Sequence, residues 1–100
     1  MSIIDWSDPE EMLGLLVDFV RDELTEERSD RERAKFLRSL SDALEALALQ
    51  SPLPPGRILA RLRIVAAARP PAFREDPALV HVRDCISELE RIVGEGPGTQ

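Results

Sequence analysis

The sequence predicts an all-α fold: a small antiparallel four-helix bundle running up-down-up-down, with helices over roughly 8–25, 30–50, 55–69 and 77–93. Three observations carry this. Leucine-rich apolar stripes recur with the 3.6-residue period of a helix. Proline-dense segments separate them. No stretch shows the sustained period-2 alternation of β-branched residues that a strand needs. At 100 residues and 43% apolar composition, the chain has the length of one domain and enough apolar surface for a core. Residues 1–94 form that single domain in this reading, and Gly94 stops the last helix ahead of a flexible tail over 95–100.

The first helix begins at Ser7-Asp8-Pro9-Glu10. Ser7 with Glu10 matches a capping box, and Asp8 places Pro9 at the first helical position, where the missing N–H costs nothing. Leu13, Leu16, Val17, Val20 and Leu24 make its apolar stripe, and Met12, Leu15 and Phe19 extend it. The arc then covers roughly 200°, well beyond the 100° or so that one packed face requires. Either this helix is central, or Met12, Leu15 and Phe19 make a second contact surface; Trp6 joins that surface or, the favoured reading, staples the helix start.

The second helix opens on Ser29-Asp30-Arg31-Glu32, another S-x-x-E capping box. Ala34, Leu37, Leu40, Leu44, Leu47 and Ala48 form its stripe, with Phe36 and Ala43 at the edge. Arg38 and Asp42 are spaced i,i+4 for an ion pair on the polar face. Pro52, Pro54 and Pro55 end the helical run. Ile58, Leu59, Leu62, Val65 and Ala66 are the inner face of the third helix, which stops at Arg69-Pro70-Pro71. Phe73 follows in the connecting loop, either as an anchor on the end of the bundle or as an exposed contact. Asp76-Pro77 caps the fourth helix. Leu79, Val82, Ile86, Leu89 and Val93 supply the 3-4-3-4 rhythm of a packing seam.

Charge is distributed unevenly. The formal net charge is -6. Residues 1–30 carry ten acids against Arg21 and Arg28, a local balance of -8. Residues 57–74 carry Arg57, Arg61, Arg63, Arg69 and Arg74 and no acid, a local balance of +5. The expected arrangement sets the two regions side by side, where they partly cancel. The alternative turns one of them toward a partner of opposite charge. Twelve of the 13 basic residues are arginine, which reflects codon composition and does not indicate phosphate binding.

No motif announces an activity. Glycine-rich phosphate loops and the G-x-S-x-G elbow are absent. His81, Cys85 and Glu88 lie at i, i+4 and i+7 on the fourth helix, a spacing able to bring an imidazole, a thiol and a carboxylate together, yet one that arises readily on any amphipathic helix. Glu11, Asp18 and Asp22 share a polar face, but no E-x-x-H accompanies them as a di-metal bundle would require. The expectation is therefore no catalytic residue, no metal site, no cofactor and no small-molecule substrate. The arginine patch is the feature that suits nucleic acid. Against it stand the net negative charge, the proline-dense turn before the third helix and the lack of aromatic interleaving. What remains is a protein–protein interaction module, a homodimer or an adaptor or inhibitor subunit. No apolar run reaches the ~20 residues of a membrane span. The start of the chain lacks a cationic, apolar leader, and there is one cysteine, so the expected location is cytoplasmic.

Overall fold

The computed structural model describes residues 8–94. Four α-helices make up the fold: α1 (Pro9–Glu26), α2 (Arg31–Ala48), α3 (Pro55–Ala67) and α4 (Pro77–Gly94), with a short 3-10 turn, Pro71–Phe73, between the last two. No strand occurs among the described residues. The helices pack in a ring, α1 on α2, α2 on α3, α3 on α4 and α4 on α1, which places α1 and α3 across the diagonal.

Local chemistry sets the helix ends. Asp8 caps α1, its Oδ1 accepting from the Glu10 N–H at 3.0 Å and the Glu11 N–H at 3.4 Å, and Pro9 takes the first helical position. Ser7 and the capping box proposed for it lie outside the described residues, as do Trp6 and the 95–100 tail. At α2 the expected Ser29 cap is corrected to Asp30, whose carboxylate accepts from the Arg33 N–H at 3.1 Å. Ser29 is instead held by Glu27, whose Oε2 accepts from the backbone N–H groups of Ser29 and Asp30. α3 has no side-chain cap and starts on Pro55 after an extended Pro54. The Ser51–Pro52 peptide bond ahead of it is cis. Gly94 is corrected from a stop signal to the last residue of α4, without a positive φ. The Arg38–Asp42 ion pair does not form among the described residues; both side chains are exposed, where such a pair contributes little.

The core takes Met12, Leu13, Leu16, Val17 and Val20 from α1, and Phe36, Leu37, Leu40, Leu44 and Leu47 from α2. Ile58, Leu59 and Leu62 come from α3, and Ala78, Leu79, Val82, Cys85 and Leu89 from α4. Two sequence expectations change here. Met12 is 1% exposed and belongs to the core, so it is no part of an outer surface. On α4 the predicted Leu79, Val82 and Leu89 are buried, joined by Ala78 and Cys85 in place of Ile86 and Val93. Ile86 is half-buried and Val93 is exposed.

One end of the bundle is tied by charge. The Arg33 guanidinium donates to Glu23 and Glu27 near the end of α1, each at 2.8 Å, and to Asp76 ahead of α4 at 2.6 Å. Asp76 also accepts from the Ala78 N–H at 3.0 Å. The end of α1 and the starts of α2 and α4 therefore meet at a single side chain.

Candidate functional site

α3 and α4 lie side by side, and each sends a stripe toward the seam between them. From α4 come Leu79, Arg83, Ile86 and Glu90, spaced 4-3-4 along one face. From α3 come Arg63, Ala66 and Ala67, and the chain continues through Arg69, Pro70, Pro71 and Arg74. Together they line an open groove of about 460 Å³. Its floor is alanine, proline, leucine and isoleucine, and its walls are arginine.

The connecting segment is fixed by Phe73. Its ring stacks on Phe36 with centroids 4.4 Å apart and planes 5° from parallel. Phe73 is thus half-buried against the bundle, as the anchor reading has it, and is not the exposed contact of the alternative. Arg69 donates from Nη1 to Ser39 Oγ at 2.6 Å, while its Nε is buried without an acceptor among the described residues. Arg63 pairs with Glu90 at 2.6 Å, an exposed contact of small energetic weight. Arg74 and Arg83 make no ion pair among the described residues. Four cations therefore face one carboxylate, and that carboxylate is already paired.

Of the five arginines expected to form one patch, Arg63, Arg69 and Arg74 meet in the groove. Arg57 and Arg61 are exposed on a different flank of α3, in line with the exposed Ile64. Arg83 joins from another helix. Its signal is present in the sequence as the 79–83–86–90 stripe, but that stripe is recognisable as a groove wall only once α4 is seen to turn Ala78 and Cys85 inward. The expected cancellation between the acidic first third and the arginines is also corrected. They sit on diagonal helices, and no α3 arginine reaches an α1 acid. The acids of α1 that are neutralised find Arg33 on α2, and Arg21 itself pairs with Glu45 of α2 at 2.7 Å.

The remaining interface candidates on α1 separate. Leu15 is 39% exposed on the outer face. Phe19 is half-buried and stacks on His81, centroids 4.0 Å apart and planes 12° from parallel. That stacking bears on the His81–Cys85–Glu88 spacing. With Asp84 these residues border a depression of about 330 Å³. Burial, reinforced by the nearby Asp84 charge, pushes the Cys85 thiol up to about 11. The imidazole face is covered by Phe19, and Glu88 is held by Arg91 at 2.9 Å and does not bond to the imidazole. Nucleophilic chemistry needs a thiolate near neutral pH, and this thiol is held in the opposite form. Cys85 is accordingly expected to be inert to a disulfide exchange reagent at pH 7–8 in the native protein and to react fully in denaturant. Fast native labelling would show that the site opens.

No group of three or more His, Cys, Asp or Glu side chains among the described residues is arranged to hold a metal ion, and no described helix is long and apolar enough to cross a membrane. The groove itself presents no nucleophile and no free base, and its guanidiniums and apolar floor suit an anionic, partly apolar ligand. Set against protein-family models, curated proteins and solved structures, the chain has no match.

Proposed function

We propose that the protein is a non-enzymatic, cytoplasmic protein-binding module whose working surface is the α3–α4 groove and whose partner presents an acidic, partly apolar segment. One observation carries the reading: four arginines surround an apolar floor with a single, already paired carboxylate between them. Arg28, Arg31, Arg38, Arg57 and Arg61 are exposed and likewise without an ion pair among the described residues, so what sets the groove apart is the apolar floor between its arginines. Arginine combined with apolar contact area is the composition of protein interface cores. Uncompensated charge of one sign also steers association. Assignment to the cytoplasm rests on the free, buried Cys85 thiol, which suits a reducing compartment.

The favoured class of ligand is protein and not nucleic acid. Stacking on bases needs exposed aromatic rings. The aromatic rings among the described residues, Phe19, Phe36 and Phe73, are all engaged internally. Fluorescence anisotropy separates the two. The probes are a labelled helical peptide with glutamates around a central leucine and a labelled DNA duplex, both at ~50 mM salt, where phosphate contacts are strongest. The peptide is expected to bind, and Arg74→Glu with Arg83→Glu to weaken it by about tenfold or more. Tighter binding to the duplex, or peptide binding indifferent to both substitutions, overturns the reading.

A further inference from the structure

The groove has a counterpart on the same chain. On α1, Glu11, Leu15, Asp18 and Asp22 fall within about 60° of one another on the helix wheel, and Glu26 adjoins them. All five are exposed. Their direction is opposite to the buried Leu16 and Val20. None of the four carboxylates makes an ion pair among the described residues, although Glu23 and Glu27 on the neighbouring flank are both claimed by Arg33. This outer face is an acidic ridge about 20 Å long with one leucine, Leu15, a turn in from its N-terminal end.

We propose that the groove receives this α1 ridge from a second copy of the chain. The inference rests on the groove being a protein-docking surface and names its occupant. Charge complementarity carries it. The ridge offers four unpaired carboxylates around Leu15, and the groove offers Arg74, Arg83 and the partly satisfied Arg69 around Pro70, Pro71 and Ile86. A single copy does not satisfy its own groove, because α1 lies diagonally across the bundle from α3. The ridge points outward from α1, diagonally across the bundle from α3, so one neighbour cannot meet both ridge and groove and the contact is heterologous: each copy uses its ridge on one neighbour and its groove on another. Association then continues past two copies, into a ring where the rotation closes and an open filament where it does not. The attraction is between charges near the surface, so salt weakens it over a Debye length of about 10 Å at 0.1 M.

Sedimentation velocity on the full chain tests this. At ~50 mM salt the wild-type protein is expected to sediment faster as concentration rises from about 10 to 500 µM, and to return to monomer at ~0.5 M salt. Two variants then separate ridge from groove: Arg74→Glu/Arg83→Glu disables the groove, and Asp18→Arg/Asp22→Arg disables the ridge. Circular dichroism checks that each is folded. Each alone is expected to stay monomeric, and their equimolar mixture to form a dimer and nothing larger, since one working ridge meets one working groove. A wild-type protein monomeric throughout at low salt overturns the proposal. So does a mixture that fails to dimerise while the wild type associates. If the wild type is monomeric but the acidic peptide still binds the groove, the docking reading stands and only the occupant is wrong. If neither associates, both fail. Should a variant not fold, the salt and concentration dependence of the wild type decides.

Discussion

Replacing Arg33 with alanine is expected to cost about 2–4 kcal/mol of stability, because one guanidinium is the shared partner of three carboxylates. Arg33 is 20% exposed, and Asp76 is more buried still. Its removal leaves Glu23, Glu27 and Asp76 crowded at one end of the bundle with their bonds to it unmade. For a domain of this size the midpoint of thermal unfolding should fall by roughly 10–25 °C. Lysine at the same position keeps the charge but loses the planar fork, so it should recover only part of the loss. The pH dependence supplies a second readout. In the native protein the Arg33 bond, with the Asp30 N–H, holds the Glu27 carboxyl below its ordinary value. Burial pushes the Asp76 carboxyl up, but the bonds from Arg33 and from the Ala78 N–H outweigh it and hold it low. A carboxylate depressed in the folded state contributes stability that is fully present above its unfolded pKa, about 4, and is lost as pH falls through the lower folded value. The wild type should therefore lose stability below about pH 4. In Arg33→Ala, Glu27 and Asp76 lose the bonds that hold their carboxyls low, so the gap between variant and wild type should narrow on acidification. Urea titrations at neutral and acid pH measure both. A variant within about 0.5 kcal/mol of wild type at pH 7 would mean that the cluster is decorative.

Met12→Ala is expected to cost about 2–4 kcal/mol, and Leu15→Ala well under 1 kcal/mol, although both residues extend the same apolar arc in the sequence. Met12 is 1% exposed and packed among the core residues of the bundle, so truncation removes buried methylenes and leaves a cavity. Leu15 is 39% exposed and opens onto solvent, where truncation leaves no hole. Denaturant unfolding of both variants, with the slope unchanged, measures the difference. Equal costs would mean that α1 is rotated about its axis relative to the arrangement described. Leu15→Ala has a second consequence under the self-association proposal, since it should weaken association while leaving the fold intact.

The helices and their ends were readable from short-range chemistry. Asp8-Pro9, the Pro52–Pro55 segment and Asp76-Pro77 act within one turn of the chain, through a carboxylate bonded to the next N–H groups or a ring that cannot donate. Such effects depend on neighbours three or four residues away, and those are visible in the string of letters. The choice between Ser29 and Asp30 as cap was less readable, because either side chain reaches the same N–H groups. What settles it is Glu27, which engages the Ser29 and Asp30 backbone from the end of α1.

Which side of each helix faces inward depended on the other helices. An arc of roughly 200° on α1 contains more than one face that would pack, and only the positions of α2 and α4 put Met12 inside and Leu15 outside. The same holds on α4, where Leu79 and Ile86 have the rhythm of a seam, yet Ala78 and Cys85 turn inward and leave Ile86 at the floor of a groove. Charge behaves likewise. The sequence counted an acidic first third and an arginine-only stretch, but pairing is decided in space: Arg33 gathers acids up to 43 residues distant, and Arg83 joins arginines from another helix. Periodicity and capping are properties of a single helix, so the chain alone determined four helices and their bounds. Orientation, ion pairing and the groove are properties of helix pairs, whose contacts link residues far apart in the chain, and these the tertiary structure decided.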